Sequence, residues 1–255
     1  MTPADRDFPY WLVAVCLIGA ALFAGVLADP ASRDVLDTLM QGVRTTIFVT
    51  LVSYAMACAL GLGLALMAGS GSLILRQIAR FYVEVMRGIP ILVLLLYVAF
   101  VLAPALVAGW NALGLPEART RDFPLLWRAI IALFLAYSAF LAEVFRAGLQ
   151  SVDTGQIEAA RALGLNGRQR FRFIVWPQAL RTILPPLGND FVAMVKDSSL
   201  VSVLGVADIT QLGKVIAAGN FRYFETYNVV ALVYLTMTIS LSILLRRFER
   251  GRRRV

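Results

Sequence analysis

The chain has no histidine at any of its 255 positions. That removes the commonest general base near neutral pH and the usual zinc ligand. Its two cysteines, Cys16 and Cys58, both fall inside apolar runs, so neither a disulfide framework nor a metal cluster is indicated. Charge is scarce as well: Asp, Glu, Lys and Arg together make up 16%. No G-x-x-x-x-G-K-[ST] phosphate loop occurs, so any nucleotide chemistry belongs to another chain. Hydrophobic residues, by contrast, reach 59%, and the mean hydropathy is +0.75. Soluble domains hold roughly 45–50% apolar residues. Composition therefore points to an integral membrane protein, and it predicts an all-α, polytopic helical bundle, because helices satisfy their own backbone in lipid. The net charge of +8 could suggest nucleic acid. Its arginines lie between apolar runs, so orientation in a bilayer accounts for them better.

Six apolar stretches are long enough to cross a hydrocarbon core of ~30 Å at 1.5 Å per residue. They cover about residues 10–28, 45–68, 88–107, 128–147, 183–206 and 226–245. The first competes with a secretory signal peptide, since Val26-Leu27-Ala28 precedes Asp29 like a cleavage site. Its flank Asp5-Arg6-Asp7 is net acidic and its run is too long, which favours an uncleaved helix. In the second stretch Ala57, Gly61 and Ala65 recur every four residues. Such a face lets helices approach closely, more often within one chain than between subunits. Glu84 with Arg87 and Glu143 with Arg146 are i,i+3 pairs at span ends, expected to form interfacial ion pairs.

The fifth stretch is the odd one. It carries Pro185, Pro186, Asn189, Asp190, Lys196 and Asp197. Asn189 and Lys196 are seven apart and share a helix face; Asp190 and Asp197 share a neighbouring face. Charged groups at membrane depth cost ~2.5–3.5 kcal/mol each on insertion scales, so they line cavities or pair inside a bundle. These four are the candidate path for a polar solute. A polar loop with Lys214, Asn220 and Arg222 is expected next, and the chain ends in the basic tail 249–255. With both termini placed in the cytoplasm, most of the 24 Lys and Arg fall on that side, including the segment 151–177.

That segment is the longest charged interruption. Asp153 and Gln156 have capping-box spacing, so a short helix starts near Thr154, and Gly164 is the natural residue to end it. Asn166 and Gln169 repeat the start signal, predicting a second short helix that ends before Pro177. A DNA-binding helix–turn–helix also uses a Gly turn, but the flanking spans leave no free domain to reach a duplex.

The same segment resembles the EAA loop of ABC-transporter permeases: Glu158-Ala159-Ala160, then Gly164, then Ile174 and Pro177. Trp176 stands where that family usually has Leu, which keeps a large apolar group. Glu84-x-x-Arg87-Gly88-x-Pro90 is similar to permeases of the polar amino-acid uptake family, as are Glu143, Arg146, Gly148, Gln150 and Ser151. So are Pro185, Pro186, Gly188 and Asn189 with Lys196-Asp197-Ser198-Ser199-Leu200. The resemblance spans residues 39–248 and leaves 1–38 as an added N-terminal helix. It implies a type I importer permease in a bacterial inner membrane, paired with itself or with a sister permease. Further implied partners are two copies of an ABC ATPase, an extracytoplasmic binding protein and an amino-acid substrate. ATP would be held by the ATPase, not by this chain, and Glu158, Ala159, Ala160, Arg161 and Gly164 would couple the two.

Two other classes compete. An ion-coupled secondary transporter would show two related halves with matching broken helices, and only one span here is interrupted. An intramembrane hydrolase could use Ser198 or Ser199 with Lys196 as base, but no third orienting group is evident.

Overall fold

In the computed structural model, residues 10–252 are described, and no strand occurs among them. The flank Asp5-Arg6-Asp7 and the end of the basic tail, 253–255, lie outside the described residues. Helix α1 (Tyr10–Ala28) covers the first expected span. Asp29 then caps α2 (Pro30–Ala68): its side chain accepts from Ser32 N, and Pro30 enters the first turn, where its missing N–H costs nothing. The amphipathic α3 (Leu73–Gly88) precedes α4 (Ile91–Tyr97) and α5 (Ala103–Ala112). Next come α6 (Leu125–Gln150), α7 (Thr154–Ala162), α8 (Gly167–Arg170), α9 (Trp176–Asp197), α10 (Ile209–Asn220) and α11 (Tyr223–Arg252).

Among the described residues, four helices are long and apolar enough to cross a membrane: Ser32–Ala68, Ile91–Ala112, Leu125–Gln150 and Tyr223–Phe248. A bent pair, Gly167–Leu204 and Ile209–Asn220, meets at 49° and makes five if it is one span.

Helix α6 is the axis. It is buried along most of its length and pairs most extensively with α2. The small face of α2 explains that closeness. Ala57 and Ala65 are buried, and a Cβ on Gly61 would sit 3.0 Å from both the Leu141 Cβ and the Ser138 carbonyl oxygen. The stripe is therefore packing within the chain, the favoured of its two sequence readings. Around α6 gather Leu94 and Leu95 of α4 and Val201 and Leu204 beyond α9. Toward the other end Tyr137, Leu141 and Phe145 meet Ala179, Ile183 and Met194 of α9. Val26 of α1 joins Val35, Leu39 and Ile209 against Val229 and Val230 of α11.

The expected stop before Pro177 does not occur. Residues Phe171–Val175 form a π turn, and α9 continues from Trp176 with Pro177 in its first turn. A proline ring clashes with the carbonyl four residues back and lacks a donor. Widening one turn to i→i+5, here from Trp176 N to Phe171 O, accommodates both defects without breaking the helix. The same device recurs at Val98–Leu102, where Ala103 N reaches Val98 O and Pro104 follows. It carries the third span to Ala112 instead of about residue 107.

The expected polar loop after the fifth span is also corrected. It is the helix α10, started by Asp208, whose side chain accepts from Gln211 N at 2.8 Å. Asp208-x-x-Gln211 repeats the spacing of Asp153-x-x-Gln156. The turn into it needs Gly205, at φ +77.

Candidate functional site

The segment after α6 is locally encoded. Asp153 Oδ1 accepts from Gly155 N and Gln156 N, so α7 starts at Thr154 as expected. At its other end Gly164 adopts φ +77, Gly164 N donates to Arg161 O, and Leu165 N donates to Ala160 O. Those two bonds make a Schellman stop, which requires the left-handed residue that glycine supplies. Asn166 and Gln169 form a reciprocal capping box at the head of α8. Val152 and Ile157 anchor the segment in the cluster of Phe145, Val175 and Ala179. Ser151 Oγ donates to Gly148 O and lies 3.2 Å from Thr182 Oγ1, tying the end of α6 to α9.

The five coupling candidates divide. Glu158, Ala159, Arg161 and Gly164 are exposed; Ala160 is buried against the chain itself, at 3% exposure. Of the two alanines given a coupling role by the resemblance, only Ala159 is exposed. Glu158 forms no ion pair among the described residues. Sequence reading missed Leu163, which is 80% exposed at the end of α7, and Phe173, 60% exposed in the π turn.

The four candidates on α9 divide by face, as their spacing predicts. Asn189 and Lys196 are exposed, while Asp190 and Asp197 are half-buried. Asp197 Oδ2 accepts from the Tyr137 hydroxyl at 2.7 Å, and Asp190 lies within electrostatic reach of Tyr54 and Cys58. Tyr54 in turn donates to Leu187 O at 2.6 Å. Lys196 forms no ion pair among the described residues. Ser198 is fully buried and donates to Val195 O at 2.7 Å, which separates it from the exposed Lys196 and removes the Ser198 form of the hydrolase reading. Of the two i,i+3 pairs, Glu143–Arg146 forms. Glu84–Arg87 does not; Arg87 lies instead 6.0 Å over the Phe140 ring.

At the end of the bundle opposite α7, two buried charged residues hold the structure. The Arg128 guanidinium donates to Phe123 O at 2.8 Å, to Ala99 O at 2.9 Å and to Thr120 O. One of those acceptors, Ala99 O, belongs to the π turn. Asp208 caps α10 and also accepts from the Tyr234 hydroxyl at 3.1 Å. A Cβ on Gly42 would lie 2.7 Å from the Asp208 carbonyl carbon and the Ile209 nitrogen, so α2 touches this turn backbone to backbone.

Residues 61–254 match the family described as "Binding-protein-dependent transport system inner membrane component". The chain belongs to that family. Membership sets aside the ion-coupled alternative. The probable amino-acid permease protein YxeN of Bacillus subtilis (strain 168) is 39% identical over 84% of this chain and 91% of its own length. The glutamine transport system permease protein GlnP of Escherichia coli (strain K12) is 35% identical over 83% and 91%. Among solved structures, an amino acid ABC transporter crystallised with histidines aligns at TM-score 0.72 and 37% identity, over 84% of this chain and 94% of that one. The inward-facing MetNI methionine ABC transporter aligns at TM-score 0.65 and 22% identity, over 84% and 95%, and speaks for the fold alone.

Proposed function

We propose that this permease carries polar amino acids inward as half of a paired translocation unit, with residues 39–248 as its transport domain. The observation that supports it most is the 39% identity with an amino-acid permease along 91% of that relative's length. On this reading two bundles enclose the path, an ABC ATPase supplies ATP hydrolysis, and a binding protein delivers substrate on the far side. This chain holds no nucleotide and catalyses nothing.

The segment from Asp153 to Gly164 is the coupling element. Its two caps make α7 a rigid body, and its exposed side presents Glu158, Ala159, Arg161 and Leu163. ATP-driven closure of the ATPases would move α7 as a unit, swinging α6 and α9 through the Ser151–Thr182 contact. Asn189 and Lys196 would line the path, with Asp190 and Asp197 behind them. The α7 end is cytoplasmic by the distribution of Lys and Arg, which puts both termini on that side.

The test is reconstitution. The chain, its ATPase and its binding protein are placed in liposomes, and uptake of radiolabelled amino acids is followed with and without ATP. Uptake that needs all three proteins and ATP is expected. Uptake by this chain alone under an ion gradient would overturn the reading.

A further inference from the structure

Helix α3 has three stripes. Ala79 and Val83 are buried against Leu64 and Ala142. Ile74, Ile78 and Phe81 are exposed and apolar, at 72%, 51% and 72%. Arg80, Glu84 and Arg87 make a third, polar edge at i, i+4 and i+7. Between that edge and the last turns of α6 lies a cleft of about 430 Å³, within the usual size of small-molecule pockets. Its opposite wall carries Glu143, Arg146 and Gln150. There the charges are already satisfied, because Arg146 holds both Glu143 and Gln150. On the α3 side they are exposed to solvent. Arg80, Glu84 and Arg87 form no ion pair among the described residues, although Glu84 and Arg87 have the spacing to close on each other.

Exposed groups of both signs around one cavity can receive a ligand carrying both signs. We infer that this cleft is a second amino-acid site, filled from the cytoplasmic side, where imported product binds and slows further import. A carboxylate accepts from the guanidinium of Arg87, stacked and oriented by Phe140, in the planar geometry that arginine favours. The α-ammonium is placed at Glu84, and the side chain rests on the apolar floor of Leu64, Val83 and Ala142. A phospholipid headgroup with a primary amine has related chemistry. Its acyl chains would follow Ile74, Ile78 and Phe81, roughly a third of a turn round α3 from the polar edge, so the headgroup is kept as a separate arm of the test. The position makes occupancy consequential: Gln150 is three residues from Asp153, so a ligand bridging α3 to α6 restrains the root of the coupling segment.

This inference rests on the amino-acid reading above, and its test separates the two. In the whole transporter in liposomes, Cys16 and Cys58 are replaced by Ala and Gln150 by Cys. A small thiol reagent is applied from the cytoplasmic side. The probe is a mixture of the common amino acids without cysteine; the comparisons are propionate, ethylamine and glycerophosphoethanolamine. Amino acids are expected to slow labelling while the other three do not. With Gln150 restored, amino acids sealed on the cytoplasmic side are expected to slow ATP-driven uptake. Arg87→Gln should shift that inhibition to roughly tenfold higher concentration, about 1.4 kcal/mol of binding, leaving the external concentration for half-maximal uptake unchanged. Should Arg87→Gln fail to assemble, Glu84→Gln is read the same way, and the labelling experiment needs neither. Unchanged labelling in a transporter that imports amino acids overturns the site, as does protection by glycerophosphoethanolamine. A transporter that imports no amino acid overturns the earlier reading instead.

Discussion

The two ends of the bundle handle polar groups in opposite ways. At the end with α10, the buried charged groups are satisfied by the chain itself: Arg128 by three carbonyls, Asp208 by a backbone amide and a tyrosine. At the α7 end, Leu163 and Phe173 stand exposed, and Arg80, Glu84 and Arg87 have no ionic partner. A buried polar group left unpaired costs ~1–3 kcal/mol, so pairing Arg128 and Asp208 within the chain stabilises the first end, where the Thr226 hydroxyl is the buried side-chain group left without a partner among the described residues. The second is stable in water only because its charges are solvated, and its apolar side chains await a surface. The contrast separates residues that hold the fold from residues that serve partners, and mutations at the two ends should fail differently.

The largest effect is expected at the closed end. Arg128→Met keeps much of the bulk but leaves the carbonyls of Ala99, Phe123 and Thr120 without their donor. The loss is on the order of 3 kcal/mol or more. The expected outcome is a monodisperse peak in detergent that collapses at markedly lower temperature than wild type, measured by fluorescence-detected gel filtration. An unchanged melting temperature would mean that this end is not closed by Arg128.

Next is a paired test inside the coupling segment. Ala160 is buried and Ala159 exposed. Ala160→Trp should overpack the chain, costing roughly 1–3 kcal/mol. Ala159→Trp should leave the isolated permease as stable as wild type and weaken ATPase co-purification. If the two variants behave alike in the absence of the ATPase, the division between inward and outward faces of α7 is wrong.

Gly164 sharpens the same boundary. A Cβ there meets nothing within 4 Å, so any effect comes from the backbone alone. A residue other than glycine at φ +77 carries a penalty of roughly 1–2 kcal/mol. Gly164→Val should insert normally and hydrolyse ATP in the complex, yet import poorly, because the stop that sets the direction of α7 is strained. Full ATP-driven uptake would remove Gly164 from the coupling element.

Much of this division could be read from the chain, for a physical reason. The caps at Asp153 and Asn166 and the left-handed Gly164 are local, decided by residues within a few positions of each other. The alternating faces of α9 follow equally from helical spacing. What escaped was non-local or unconventional. Pro177 reads as a stop until a π turn is allowed to absorb it. Arg128 reads only as the residue that opens the fourth apolar stretch until its three carbonyls, one of them 29 residues away, come together. Glu84 and Arg87 read as a pair until Phe140 of another helix claims the guanidinium. The cap at Asp208 was missed differently: its spacing was visible, but the polar residues downstream masked a helix whose buried side is Ile209, Gly213 and Ala217.

The smallest effect on stability, and the finest test of the comparison, is expected at Lys196. It lies between the two ends, exposed and without an ionic partner among the described residues. Removing its charge deprives no group of this chain of a partner, so Lys196→Met should leave the melting temperature of the isolated permease unchanged. Tyr137→Phe, which takes the hydroxyl from Asp197, should cost about 0.5–1.5 kcal/mol and serves as the adjacent control. In the assembled transporter the order should reverse. If Lys196 faces the path, its loss alters uptake or substrate-stimulated ATP hydrolysis while the complex stays intact, and Tyr137→Phe changes transport less. A complex that falls apart on Lys196→Met would instead place the ammonium against an acidic group of the paired bundle. That outcome would extend the self-sufficient construction of the closed end into the dimer interface and remove Lys196 from the path.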